Sequence, residues 1–332
     1  MSGIASFFDR IPRPGRSSDG GVKGAVEGSG TWHLSDRIGL AFCWTLGIVF
    51  CLIAVSIVVY LFVQGIKYVT PSLLVTRPEV GFTQDQTGGI LDPLIGTVLV
   101  AFMGMVIAIP LGIVIAVWLS EFGKPFALAR IAESTVEMLA GIPSIVLALF
   151  GTLIFSSNAL GFLSRSADGV VFGRSFFAAG AMLSLVALPL VVGSVREGLQ
   201  AIPRHIREAS YAAGKTKVAT TRRILLPSAR PNVATGAMLG LGRIIGDTAI
   251  IVVLLGATLQ AEPAGSTPII SYLKGTGSTL TSYVFSNSPT GEGNNPEKAY
   301  AAAFVLLLMV LALNLAVDVV HRRARKGGSW TS

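Results

Sequence analysis

The stretch Ala201-Ile-Pro-Arg-His-Ile-Arg-Glu-Ala-Ser-Tyr-Ala-Ala-Gly-Lys-Thr216, resuming five residues later as Arg222-Arg-Ile-Leu-Leu-Pro227, stands between two long apolar runs. Pro203 suits the first turn of a helix, where its missing N–H is not needed. Gly214 suits a helix stop. The spacing predicts a short helix between them and a second one ending near Pro227. A polar helical hairpin lying on a membrane surface between two spans is a docking shape, not a catalytic one. Gly214-Lys215-Thr216 ends like a phosphate-binding loop, but the first glycine of that motif would fall at 209, which is Ala209. No strand precedes it either, so the chain is not expected to bind ATP itself.

The composition around this loop is that of a membrane protein. Of 332 residues, 52% are hydrophobic and only 13% charged, about half the charge fraction of a soluble domain, and the mean hydropathy is +0.67. A soluble enzyme, a disordered chain and a nucleic-acid binder are excluded, despite a net charge of +8. Six segments reach the roughly 20 apolar residues a bilayer demands: Ile38 to Val63, Pro93 to Leu119, Val136 to Phe155, Ser175 to Val195, Val233 to Leu255 and Ala299 to Val320. Pro110 predicts a kink in the second, and Gly141 and Pro143 interrupt the third. The fold class expected is all-α, a polytopic membrane protein with six transmembrane helices.

The loops orient it. Nineteen of 26 basic residues fall in the N-terminal tail, the loops after spans two and four, and the C-terminus, which places both termini in the cytoplasm. Residues 1–37 read as a flexible cytoplasmic tail, 38–325 as the transmembrane domain with the loop 201–228 inside it, and 326–332 as a second tail. The polar stretch from Thr258 to Lys298 lies outside. Cys43 and Cys51 are eight helical residues, roughly 12 Å, apart, too far for a disulfide. The three histidines show no metal-type spacing.

One basic residue sits inside a span. Span five contains Gly236-Ala-Met-Leu-Gly240-Leu-Gly242-Arg243-Ile-Ile-Gly246-Asp247-Thr248. Gly236/Gly240 and Gly242/Gly246 allow close helix approach. Arg243 and Asp247 fall one turn apart on a common face, near enough to pair. Ionised groups at this depth face a protein interior or a polar cavity. The pair is therefore either a structural salt bridge or part of an oxyanion pathway, with Arg243 as the donor fork. In the second case Asp247 holds the arginine or accepts a proton from a protonated oxyanion, which favours an anion such as phosphate.

The loop resembles the E-A-A-x-x-x-G-x(9)-I-x-L-P signature of ABC importer permeases. Glu208, Ala209, Gly214, Ile224, Leu226 and Pro227 match its spacing, and Ser210 replaces the second alanine. The resemblance implies the type I permease fold and a short helix that inserts into a groove on a separate ATPase subunit. Glu208 would then be a charge partner, Ala209 and Ser210 would permit close approach, and Gly214 would turn the chain. Span five resembles the Arg-x-x-Gly-Glu-Thr of phosphate-importer permeases, keeping Arg243, Gly246 and Thr248 but with Asp247 for the glutamate. Glu137-Met-Leu-Ala-Gly-Ile-Pro-Ser-Ile-Val146, Pro110-Leu-Gly112 and Ser120-Glu-Phe122 resemble other segments of that family. Gly88-Gly-Ile90 and the Asn314 region lean toward its PstA subunit.

This resemblance implies one half of a phosphate pathway, completed by a second, PstC-like permease. It also implies a PstB-like ATPase dimer holding ATP and Mg, and an external PstS-like phosphate-binding protein. Beyond lipid, no cofactor or nucleic acid is expected on this chain. Candidate pathway residues are Arg243, Asp247, Thr248, Glu137 and Ser144. Glu137 equally suits a helix N-terminus, Pro143 a packing kink, and Ser144 a bond to its own backbone. Rival readings are a permease for sulfate, molybdate or phosphonate, and a secondary transporter, which leaves the docking motif unexplained. An intramembrane enzyme lacks a nucleophile–base or metal constellation.

Overall fold

A computed structural model describes residues 34–78, 88–157, 159–164, 173–256, 272–289, 291 and 295–326. Residues 1–33 of the tail expected at 1–37, residues 327–332 of the tail expected at 326–332, and residues 258–271 of the stretch expected to lie outside are not among the described residues. The described chain is almost wholly helical. Four helices are long and apolar enough to cross a membrane, or up to six if each of two bent pairs makes one span.

The chain divides into two units, 1–57 and 58–332. Residues 38–57 of the first belong to α1 (Leu34–Tyr68), and every one of them is exposed. An all-apolar helix with no polar face belongs in lipid. In the second unit, the last turns of α1 pack on α12 (Pro296–Lys326) through edge-to-face rings. Tyr60 meets Tyr300 at 6.0 Å and Phe62 meets Phe304 at 5.2 Å. Gly65 is needed there, because any Cβ would collide with Phe304.

The core of the second unit is α6 (Phe176–Gln200), with α3 (Leu91–Val117) on one side and α9 (Arg230–Gly246) on the other. Small residues make these contacts close. A Cβ at Gly180 would stand 2.8 Å from Met103 Cβ, and one at Gly236 or Gly240 would stand 3.2 Å from Val191. Dispersion between closely approaching backbones binds helices where no hydrophobic driving force exists. The Gly236/Gly240 expectation is met in this way. Gly242 and Gly246, by contrast, have nothing of their own chain within 4 Å of a Cβ. Helix α3 runs through Pro110 as one element and widens into a π-helical turn at Trp118–Phe122.

Two of the predicted spans are broken. The third begins ten residues earlier than expected, as α4 (Phe126–Gly141), and turns by 105° into α5 (Ser144–Ser156). The fifth turns by 57° between α9 and α10 (Thr248–Leu255). The short helix α2 (Pro71–Val75) precedes α3, and α11 (Leu280–Asn287) lies in the loop before α12.

Candidate functional site

The hairpin expected at 201–228 forms as its punctuation predicts. Helix α7 (Arg204–Ala212) starts after Pro203 and ends before Gly214, whose φ of +75° only glycine takes without strain. Helix α8 (Lys217–Thr220) follows, runs through a π-helical stretch at Thr221–Leu225 and ends at Leu226–Ser228. Glu208, Ala209 and Gly214 are exposed, while Ile224, Leu226 and Pro227 are half-buried. Ser210 departs from the expected docking face. It is buried, and its hydroxyl lies 2.8 Å from that of Thr220. The serine that replaces the motif's second alanine therefore ties α7 to α8.

The inner face of α7 is anchored more strongly. Arg207 donates to Glu121 Oε1 from Nε at 3.2 Å and from Nη2 at 3.1 Å, and to the carbonyls of Leu199 and Ile202 at 2.7 and 2.6 Å. A second ion pair, Arg196 with Glu133, joins α6 to α4.

The second candidate region is the break in span five. Asp247 leaves the helix with ψ of 112° and caps α10, accepting from the Ile250 N–H at 3.1 Å through Oδ1. Its Oδ2 stands 3.6 Å from Arg243 Nη2. The expected pair is present, but it straddles a helix break and is not carried on one continuous helix. The break also explains the residue. Aspartate is a preferred N-cap, and its short side chain reaches the N–H of the third helical residue. The side chains differ sharply in exposure, 47% for Arg243 against 2% for Asp247. Arg243 lies between Gly242 and Gly246 on a face that its own chain leaves open, while Asp247 is held inside.

A broken helix at membrane depth frees carbonyls, each worth several kcal/mol if left unpaired. The Ile245 carbonyl would bond Ala249 in a continuous helix. Instead it accepts from the Thr281 hydroxyl of α11 at 2.7 Å. Helix α11 is itself held to α3, where the Leu280 N–H donates to Thr97 Oγ1 at 2.8 Å. Sequence reasoning missed Thr281, because only the fold brings that loop to the break.

The two breaks are related. Phe155 meets Phe177 at 6.1 Å and Gly151 meets Met182, so α5 and α6 are antiparallel. Gly236 and Gly240 meet Val191, and Gly198 meets Asn232, so α6 and α9 are antiparallel too. A Cβ at Gly151 would lie 3.2 Å from Leu254 Cδ1, and one at Gly256 would lie 3.7 Å from Arg174 Nη1. Helices α5 and α10 therefore run side by side in the same direction. Gly151 is seven residues from the start of α5 and Leu254 six from the start of α10, so the two N-termini stand at one level. Ser144, half-buried, occupies the first turn of α5, and Thr248, also half-buried, that of α10. Unpaired N–H groups and the positive end of the helix dipole make each N-terminus attractive to anions. Glu137 is not at a helix start; it is exposed near the end of α4, before the 105° turn.

Comparisons with known proteins agree on a family. The family described as "Binding-protein-dependent transport system inner membrane component" matches residues 108–326. The phosphate transport system permease protein PstA 1 of Mycobacterium tuberculosis (strain CDC 1551 / Oshkosh) is 31% identical over 290 residues, which cover 87% of this chain and 89% of that one. PstC of Xylella fastidiosa (strain 9a5c) is 28% identical over 256 residues, 73% of this chain and 76% of that one. Among solved structures, a bacterial alginate ABC transporter in complex with an alginate pentasaccharide-bound periplasmic protein matches with a TM-score of 0.60. That match covers 87% of this chain and 95% of that one at 16% identity, a likeness of fold alone.

Proposed function

The chain belongs to the family of binding-protein-dependent transport system inner membrane components, and from that premise we propose that it is a permease subunit of an ATP-driven phosphate importer. The observation that carries the substrate is the geometry at the two breaks. An arginine on an open face stands at the start of one of two parallel half-helices whose N-termini share one level. A phosphate at that level meets the guanidinium fork, with the hydroxyls of Ser144 and Thr248 as further donors. Asp247 is buried with Oδ1 committed to its cap, so its first task is to hold Arg243 in place. Its Oδ2 is the acceptor for a phosphate hydroxyl, a contact that sulfate cannot supply. The similarity to permeases named for phosphate supports the same substrate.

The other half of the pathway comes from a second permease, because Leu239, Gly242, Arg243 and Gly246 form a face of α9 that its own chain leaves exposed. The exposed Glu208, Ala209 and Gly214 dock a separate ATPase pair, where ATP and Mg are held and hydrolysed. An external binding protein delivers the phosphate, and both termini lie in the cytoplasm. Phosphate and sulfate uptake in a strain lacking this chain tests the reading. Loss of phosphate uptake alone, restored by the gene, is expected; loss of sulfate uptake with phosphate unchanged would assign the other oxyanion.

A further inference from the structure

The docking hairpin is gripped by the cytoplasmic end of one particular span. Glu121 closes the π-helical turn of α3, is 7% exposed at its side chain, and accepts two N–H groups from Arg207. Arg207 gives two more N–H groups to the carbonyls of Leu199 in the last turn of α6 and Ile202 just beyond it. A guanidinium has five N–H groups in a rigid fork, and here one fork joins the docking helix to two spans at once. A second contact runs in parallel, with Lys217 Nζ of α8 5.0 Å above the Phe122 ring. Both halves of the hairpin thus touch consecutive residues, Glu121 and Phe122, of the second span. On α7 the roles separate by face. Arg207 and Ser210 point inward and hold, whereas Glu208 and Ala209 point outward and are exposed.

We propose that Arg207 and Glu121 are positioning residues that transmit movement of the docking helix to the second span, and that neither touches the ATPase or the transported anion. The inference rests on the reading of α7 as the ATPase-docking helix. Charge-assisted bonds to a fixed fork resist both pulling and pushing, which a sliding apolar contact does not. Helix α3 continues to Thr97, whose hydroxyl holds α11, and α11 holds the Ile245 carbonyl at the break. Movement received at Glu121 therefore reaches an element that touches the anion site.

The test uses the whole complex, with its partner permease, ATPase pair and binding protein, reconstituted in liposomes. It reads co-purification of the ATPase and the number of anions imported per ATP hydrolysed, with whichever of phosphate or sulfate the unaltered complex transports. E121Q and R207Q are each expected to keep the ATPase bound and to lower import per ATP by about tenfold. The double variant E121Q/R207Q should be no worse than either single one, and the exchange E121R/R207E should regain part of the loss. Import per ATP within about twofold of the unaltered complex in E121Q overturns the proposal, whether or not R207Q assembles. Loss of the ATPase in E121Q overturns it too, since the pair would then serve docking. Failure of the docking reading is seen separately, as full ATPase binding and uptake when Gly214 is replaced by leucine.

Discussion

The docking hairpin and the break in span five are both places where a row of membrane helices stops being regular, and they achieve it in opposite ways. The hairpin is polar, lies between spans, and is punctuated by residues that stop helices, Pro203 and Gly214. The break lies inside an apolar run with no proline and is made by a single aspartate that caps the next half-helix. Water can satisfy the ends of the hairpin's helices. At the break the protein must do so itself, with Asp247 for an N–H and Thr281 for a carbonyl. The hairpin can therefore tolerate changes that the break cannot.

The largest effect should come from the break. Replacing Arg243 by glutamine removes the cation from the open face of α9 while leaving a shorter, neutral side chain that still carries N–H donors. Phosphate uptake should fall by about a hundredfold or more, with the complex still assembled. Normal uptake by an assembled variant would sink the assignment of Arg243 to the pathway. Next in size is Gly214→Leu. The left-handed backbone there costs a branched residue about 1–2 kcal/mol, and the open space around it means that the side chain clashes with a docked partner and not with its own fold. ATPase co-purification should drop with the spans intact. Retention of the ATPase would show that the exposed face of α7 is not the docking face.

Two substitutions at Asp247 separate its two tasks. Asparagine is as good an N-cap as aspartate, so Asp247→Asn keeps the bond to Ile250 and removes the charge beside Arg243. Uptake should fall about tenfold through loss of a charged contact, while the melting temperature of the purified complex stays put. Asp247→Ala should lose both, with a further loss of about 1 kcal/mol of stability as the cap goes. If the two variants melt alike, the cap contributes nothing and the break is held by other contacts. Thr281→Val, which leaves the Ile245 carbonyl without its donor, should cost about 1–3 kcal/mol, and Thr281→Ser should restore it.

How much of this was legible in the sequence follows from how far each contact reaches along the chain. Helix α7 and its stop depend on Pro203 and Gly214, eleven residues apart, and both are read directly. Span five was expected to be continuous because its apolar pattern has no interruption that hydropathy can register. Yet a local signal was present: Gly246-Asp247 followed by the apolar run Ala249-Ile-Ile-Val-Val-Leu-Leu255 is a helix-start signature. Glu137 was misplaced at a helix start because α4, with its Arg130 and Glu133, is too polar to count as part of a span. Arg207 and Glu121 are 86 residues apart, and Thr281 is 36 from Ile245, so only the packed fold reveals either contact.

The smallest effect sharpens the comparison most cleanly. Ser210→Ala restores the alanine that the permease signature carries at this position. The Thr220 hydroxyl has one proton, which it donates to the Thr216 carbonyl at 3.0 Å, so in the Ser210–Thr220 contact Ser210 is the donor. The alanine therefore removes one neutral hydrogen bond and strands no buried donor, a loss of about 0.5–1.5 kcal/mol at most. Because Ser210 faces α8 and not the partner, ATPase binding and phosphate uptake should be unchanged, with only a slightly lower melting temperature. A clear change in ATPase affinity would mean that the inner and outer faces of α7 are not separate. The hairpin would then resemble the break, where one residue both holds the fold and does the work.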